Sequence, residues 1–208
     1  MSRNRCKRPD NSTNAYIIDF MEMVRKTPFK ELEPSVKIFS DFAVALTKII
    51  VNAGCNSDEI HIVFDTYKED SMKNVERQRR RKSNEIIVLD SISLNHRGPI
   101  KLENFCCSSI SKTGFQVFYV EWLKINYEVN KPLYLGISPK AWFMLAGRAS
   151  PFPRLDCTHK EADDRMMFHV QYILGNKSDP TSITLSLDDT SVFVCLVPLC
   201  CQLGTSWS

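Results

Sequence analysis

The sequence predicts an α/β protein of three layers, α/β/α, around a mainly parallel central sheet. Two observations carry that expectation. Apolar strand-like runs alternate with segments of helical period, and parallel neighbours need helical crossovers. The apolar runs are also continuous instead of alternating apolar with polar, as suits strands covered on both faces.

Taken in order, residues 1–14 are polar and basic and read as a flexible tail; residues 15–208 read as a single domain. Residues 15–19, AYIID, form a short apolar run ending in a carboxylate and read as a buried strand. A mixed helical segment follows and is limited by Pro28. Residues 36–53 are the clearest helix: Ile38, Phe39, Phe42, Leu46, Ile49 and Ile50 recur at helical spacing and Gly54 follows as a cap. IHIVFD, residues 60–65, is a second strand ending in Asp, and residues 85–90 are a third apolar run. Residues 91–114 are Ser-rich and aperiodic and read as a polar insertion in loop conformation. Phe115, Phe118, Tyr119, Trp122 and Leu123 predict a helix over 115–127. Residues 132–137 read as strand. The three prolines in 138–157 predict mostly connection. A helix is expected from Lys160 to about Leu174, with Met166, Met167, Val170, Ile173 and Leu174 inward. Residues 182–187 then form a strand, and 192–197 begin another element.

Composition removes several function classes. No apolar run approaches the roughly 18 residues a membrane span needs, and the N-terminus lacks the apolar core of a signal peptide. The expectation is an intracellular protein, nuclear or cytoplasmic, with no membrane partner. Eight cysteines lack CxxC or zinc-knuckle spacing, so reduced thiols are expected. Neither GxGxxG nor GxxxxGK[ST] is present, which argues against a generic nucleotide-binding α/β protein.

The chemistry-bearing residues are acidic. Three apolar strands end in Asp: Asp19, Asp65 and the pair Asp188/Asp189. A further group, Glu161, Asp163 and Asp164, opens a helix. In an open parallel sheet ligands bind beyond the carboxyl ends of the strands, so these side chains converge if the strands are neighbours. Carboxylates brought together repel one another, and a cation offsets the repulsion. Oxygen-only ligands select Mg²⁺ or Mn²⁺. Two such ions about 4 Å apart activate water for phosphodiester hydrolysis. Each piece also has a plainer explanation. Thr158 and Glu161 fit a capping box, and an Asp after a strand is a common turn or cap residue. Asp90 ends an apolar run without any assigned role.

A basic run follows the second strand. Lys73, Arg77, Arg80 and Arg81 share one helical side, next to Arg79 and Lys82. It suits phosphate contacts, a nuclear-localisation patch or a solvated face equally well. His159 and His169 flank the acidic helix start, and packing explains them better than metal ligation. Cys157 lacks the His and Asn partners of a thiol nucleophile.

Together, YIIDF, HIVFDTYKEDSMKNVERQRRRKS, HKEADDRMMFHV and ITLSLDDTSVFVCL resemble the PIN/flap-endonuclease-like nuclease superfamily. More narrowly they are similar to a set of animal proteins, often in transposon-like contexts, with FDxYxxxSIKxxER, EADTRxxxH and DTDVxVL patterns. The resemblance covers about residues 15–200. It implies a parallel sheet between helices and a two-metal acidic site acting on DNA or RNA. Asp19 and Asp65 match the first- and second-strand aspartates, Glu161 and Asp163 the EA(D/E) pair, and Asp189 the first Asp of DTD. The basic segment after Asp65 matches a helical gateway that contacts phosphate. There are two departures. Ser191 stands where the second Asp of DTD is expected, and the sequence ends at Ser208, before a Gly-Cys-Asp-Thr type segment and the duplex-holding helices. They predict a domain incomplete at its C-terminus and weakened or lost activity. The alternative expectation is therefore an inactive remnant that binds nucleic acid or protein.

Overall fold

The computed structural model describes residues 13–27, 38–66, 92–93, 108–176 and 181–186. These residues form an α/β structure with a mostly parallel, six-stranded mixed sheet flanked by helices on both faces, the fold class the sequence predicts.

Strand β1, Thr13–Asp19, leads directly into helix α1, Phe20–Lys26. Helix α2, Phe39–Ala53, precedes strand β2, Glu59–Val63. Helix α3 spans Ser109–Asn126 and strand β3 Leu133–Ile137. Strands β4, Lys140–Leu145, and β5, Arg148–Pro151, follow, then a 3-10 turn at Pro153–Leu155. Helix α4, Ala162–Asn176, and strand β6, Thr181–Ser186, complete the described elements. The sheet order is β5-β4-β3-β2-β1-β6. Strands β6, β1, β2 and β3 are mutually parallel, while β3, β4 and β5 pair antiparallel. The ends of β1, β2 and β6 therefore open on one edge.

Two expectations are corrected. The segment 138–157 is not mostly connection: it forms the β4–β5 hairpin and the 3-10 turn. Its turn uses Ala146 at φ 47° and Gly147 at φ 78°. Pro151 is tolerated because β5 is the sheet edge, where a missing N–H leaves no neighbouring strand unpaired. The helix predicted from Phe115 begins earlier, at Ser109, inside the segment read as loop. Its first turns lack apolar periodicity, and Ser108 starts it by accepting the Ser111 N–H at 3.3 Å. The tail, the apolar run at 85–90 and the element expected at 192–197 lie outside the described residues, apart from Thr13 and Asn14, which belong to β1.

Alternation along each strand divides the core. Ile18, Ile60, Ile62, Leu133 and Leu135 face α1, α2 and α3, whereas Ala15, Ile17 and Val63 face α4 through Met166, Val170 and Ile173. The first face is dominated by aromatics. Phe20 lies 4.6 Å from Phe64, 5.0 Å from Tyr119 and 5.5 Å from Phe115, centroid to centroid. Phe20 directly follows Asp19, and Phe64 directly precedes Asp65. The core contact between these two rings thus fixes the two strand ends beside each other. Lys131 secures the approach to β2 by donating to the carbonyls of Gly54, Cys55 and Ser57 at 2.7, 3.0 and 2.7 Å.

Candidate functional site

Asp19 is opposite Val63 across the β1–β2 pair, so Asp19 and Asp65 leave adjacent parallel strands at the same edge. Each aspartate caps a helix. Asp19 Oδ1 accepts the Met21 and Glu22 N–H groups at 2.7 and 3.2 Å, which opens α1. Asp65 Oδ1 accepts the Ala162 N–H at 2.7 Å and so caps α4. The Thr66 N–H donates to the Lys160 carbonyl at 2.7 Å, seating the start of α4 on the end of β2. The capping group of α4 is therefore supplied by Asp65, 97 residues before Ala162. The capping-box reading of Thr158 and Glu161 is not needed for that N–H.

Electrostatics distinguish the Asp19 cap from an ordinary one. The Asp19 carboxyl is pushed up to about 6, first by burial and then by the neighbouring negative charge of Asp65. The two backbone donors and Arg25 pull the other way without cancelling it. Glu161 and Asp163 flank Ala162 in sequence and so bracket the atom that binds Asp65. Glu161 and Asp164 are exposed and Asp163 is half-buried. Among the described residues, no three His, Cys, Asp or Glu side chains gather closely enough to hold a metal ion. Asp188 and Asp189, expected to complete the cluster, lie outside the described residues, as do Lys73, Arg77, Arg80 and Arg81. Strand β6 is described to Ser186, which is opposite Ile18. There the buried Glu22 accepts from the Ser186 hydroxyl at 3.2 Å and pairs with Lys26, joining α1 to β6.

Three residues that sequence reasoning left without a role organise the same region. Arg165 is fully buried. It donates through Nε to the His159 carbonyl at 2.9 Å, through Nη1 to the Gly136 carbonyl at 3.0 Å and through Nη2 to Thr66 Oγ1 at 3.0 Å. Nη2 also reaches the His159 carbonyl. The guanidinium thus joins the end of β2, the middle of β3 and the approach to α4. Burial lowers the proton affinity of this guanidinium, and the nearby Asp65 carboxylate opposes that effect. Cys55 and Cys157, the cysteines among the described residues, are free thiols.

Gly136 is the second, and His169 rests against it. Its carbonyl accepts both the Phe64 N–H, at 3.1 Å, and Arg165. A Cβ added at Gly136 would sit 2.6 Å from His169 Nε2 and 3.2 Å from Cε1. Since that ring is wholly buried, Gly136→Ala is expected to destabilise the fold by about 1–3 kcal/mol through overpacking. A urea titration checks this, and an unchanged midpoint would mean that His169 swings aside freely. The third residue is His61, whose Nδ1 lies 2.9 Å from His169 Nδ1. His169 thus belongs to the core, the packing role expected of it, whereas His159 is exposed and lies 6.1 Å from Phe168, ring to ring.

Compared with known family models, curated proteins and solved structures, the chain matches none of them. Among the described residues no helix is long and apolar enough to cross a membrane.

Proposed function

We propose that this chain is a PIN/flap-endonuclease-like domain acting as a Mg²⁺- or Mn²⁺-dependent phosphodiesterase on DNA or RNA. The observation that carries the reading is the Asp19–Asp65 pair. Two like-charged carboxylates sit together at the C-terminal edge of parallel strands, and burial plus mutual repulsion raise the proton affinity of Asp19. Capping alone does not account for this, because Asn or Ser caps a helix without bringing a second charge to a desolvated edge. An all-oxygen donor set of this kind fits a hard divalent cation. Asp19, Asp65, Glu161, Asp163, Asp188 and Asp189 would hold it, and Lys73, Arg77, Arg80 and Arg81 would hold phosphate. When bound, the cation lowers the pKa of water and neutralises charge on the phosphodiester. The protein's own part is to fix the carboxylates through the Phe20–Phe64 contact and the two helix caps. Both donors to Asp19 use Oδ1, so neither engages Oδ2.

A second reading is favoured by the capping roles themselves. If capping is the whole purpose of both aspartates, the domain is an inactive module that binds nucleic acid or protein. Cleavage of labelled flap, hairpin and single-stranded substrates with Mg²⁺ or Mn²⁺ separates the two. Asp65→Asn keeps an acceptor for the Ala162 N–H while removing the charge. It is expected to lower cleavage by about 100-fold or more, the equivalent of roughly 3 kcal/mol of transition-state stabilisation. Wild-type protein that binds these substrates in a salt-sensitive way without cleaving them would support the inactive module instead.

A further inference from the structure

We propose that the buried His61–His169 pair is a pH-sensitive latch that holds helix α4 on the sheet and releases it on acidification. The proposal stands on packing and does not depend on the phosphodiesterase reading. His61 belongs to β2 and His169 to α4, both are 0 % exposed, and their Nδ1 atoms are 2.9 Å apart. A contact of that length needs one Nδ1–H and one bare Nδ1. Glu59, also on β2, biases the polarity: its Oε1 lies 3.4 Å from His61 Nε2, an electrostatic contact and not a hydrogen bond, and attracts a proton there. His61 Nδ1 is then the acceptor and His169 Nδ1–H the donor. His169 Nε2 is left as a lone pair against Gly136, in agreement with its having no hydrogen-bond partner.

The groups around the pair set how many protons it can take. From β2, Glu59 presents its carboxylate to His61. From β3, Tyr134 stacks on His61 at 4.6 Å and supplies no charge, because its hydroxyl is raised to about 12 by burial and by Glu59 and Tyr172. From β1, Ile17 is the register neighbour of His61 and carries no titratable group. From α4 itself, the Arg165 cation opposes a charge on His169, and Tyr172 stays neutral. Any added proton would set two Nδ1–H groups against each other or aim an Nε2–H at Gly136, beside an arginine. Burial, His61 and Arg165 accordingly hold His169 well below the usual histidine range.

When α4 lifts away, His169 regains ordinary behaviour near pH 6.5 and takes up a proton. Docking is therefore complete above that pH and weakens as pH falls below it, about tenfold per pH unit for each proton taken up. Lifting also removes the Ala162 N–H from Asp65 and Arg165 from Thr66 and Gly136, so acid dismantles this side of the edge. Asp19 titrates nearby with the opposite sign. Its raised value makes the folded form gain a proton first, so acid in that window favours the fold at Asp19 and cannot imitate the latch.

Amide hydrogen exchange of the whole chain between pH 7.5 and 5, corrected for intrinsic rates, tests the latch. Opening of residues 162–176 is expected to rise by about three- to tenfold per pH unit below 6.5, with far less change over Phe39–Ala53. His169→Gln, which cannot titrate, is expected to flatten the slope. Equal α4 opening at pH 7.5 and pH 5 in the wild type would overturn the proposal even if the variant fails to fold. A slope undiminished in folded His169→Gln would overturn it as well.

Discussion

Asp19→Asn is expected to give a more stable protein at pH 7 and a far less active one. The wild-type carboxyl is raised from 3.8 to about 6, so keeping it ionised at pH 7 costs roughly 3 kcal/mol at most. Partial exposure of the residue reduces the recoverable part to about 1–2 kcal/mol. Asn retains the acceptor that the Met21 and Glu22 N–H groups use, so the cap on α1 survives. The gain depends on pH in a definite way. Because the folded value is raised, the cost is full above about pH 6 and absent below 3.8. Urea titrations should therefore show the variant ahead at pH 7 and level with the wild type near pH 4. Under the proposed function the same change removes an anionic ligand, and metal-dependent cleavage should fall by about 10²–10³-fold. A stability gain with activity lost is the pattern of a strained functional group. A variant less stable at pH 7 would contradict the electrostatic account, and unchanged cleavage would contradict the assignment of Asp19 to the chemistry.

Arg165→Leu is expected to be the most destabilising single change in the described structure, by about 3–5 kcal/mol. It would leave the His159 carbonyl, one lone pair of the Gly136 carbonyl and the Thr66 hydroxyl without the donor that a fully buried side chain now supplies. Arg165→Lys keeps the charge, yet a single ammonium cannot span three acceptors held by different elements, so a loss of about 2–4 kcal/mol is expected there too. Chemical denaturation of both variants checks this. If Arg165→Lys unfolds at the wild-type midpoint, Arg165 acts as a point charge and the fork is unimportant. The site should also register the change, because Arg165 links Thr66 to the start of α4, one residue from Asp65 and next to Glu161.

The legible part of this protein was the part encoded locally. Strands β1 and β2, with Asp19 and Asp65 at or just past their ends, helix α2 with its Gly54 cap, and the acidic start of α4 are contiguous patterns of apolar and charged residues. Burial of a continuous apolar run and of one helical face dictates them without reference to distant neighbours. The β4–β5 hairpin was less visible, since its prolines mimic a connection until an edge position excuses them. The first turns of α3 were hidden because their polar residues carry no period.

Tertiary structure alone decided how those pieces meet. That Asp65 caps α4, that Phe20 packs against Phe64, that Arg165 binds across three segments and that His61 meets His169 are pairings across long sequence separations. The last two partners are 108 residues apart. No local pattern states them, because each is fixed by which strands become neighbours in the order β5-β4-β3-β2-β1-β6. By itself the sequence determined which residues end strands and open helices, through the period of its apolar side chains. The fold determined which of those ends share an edge, and with it the raised proton affinity of Asp19, because burial and Coulomb repulsion act through space and not along the chain.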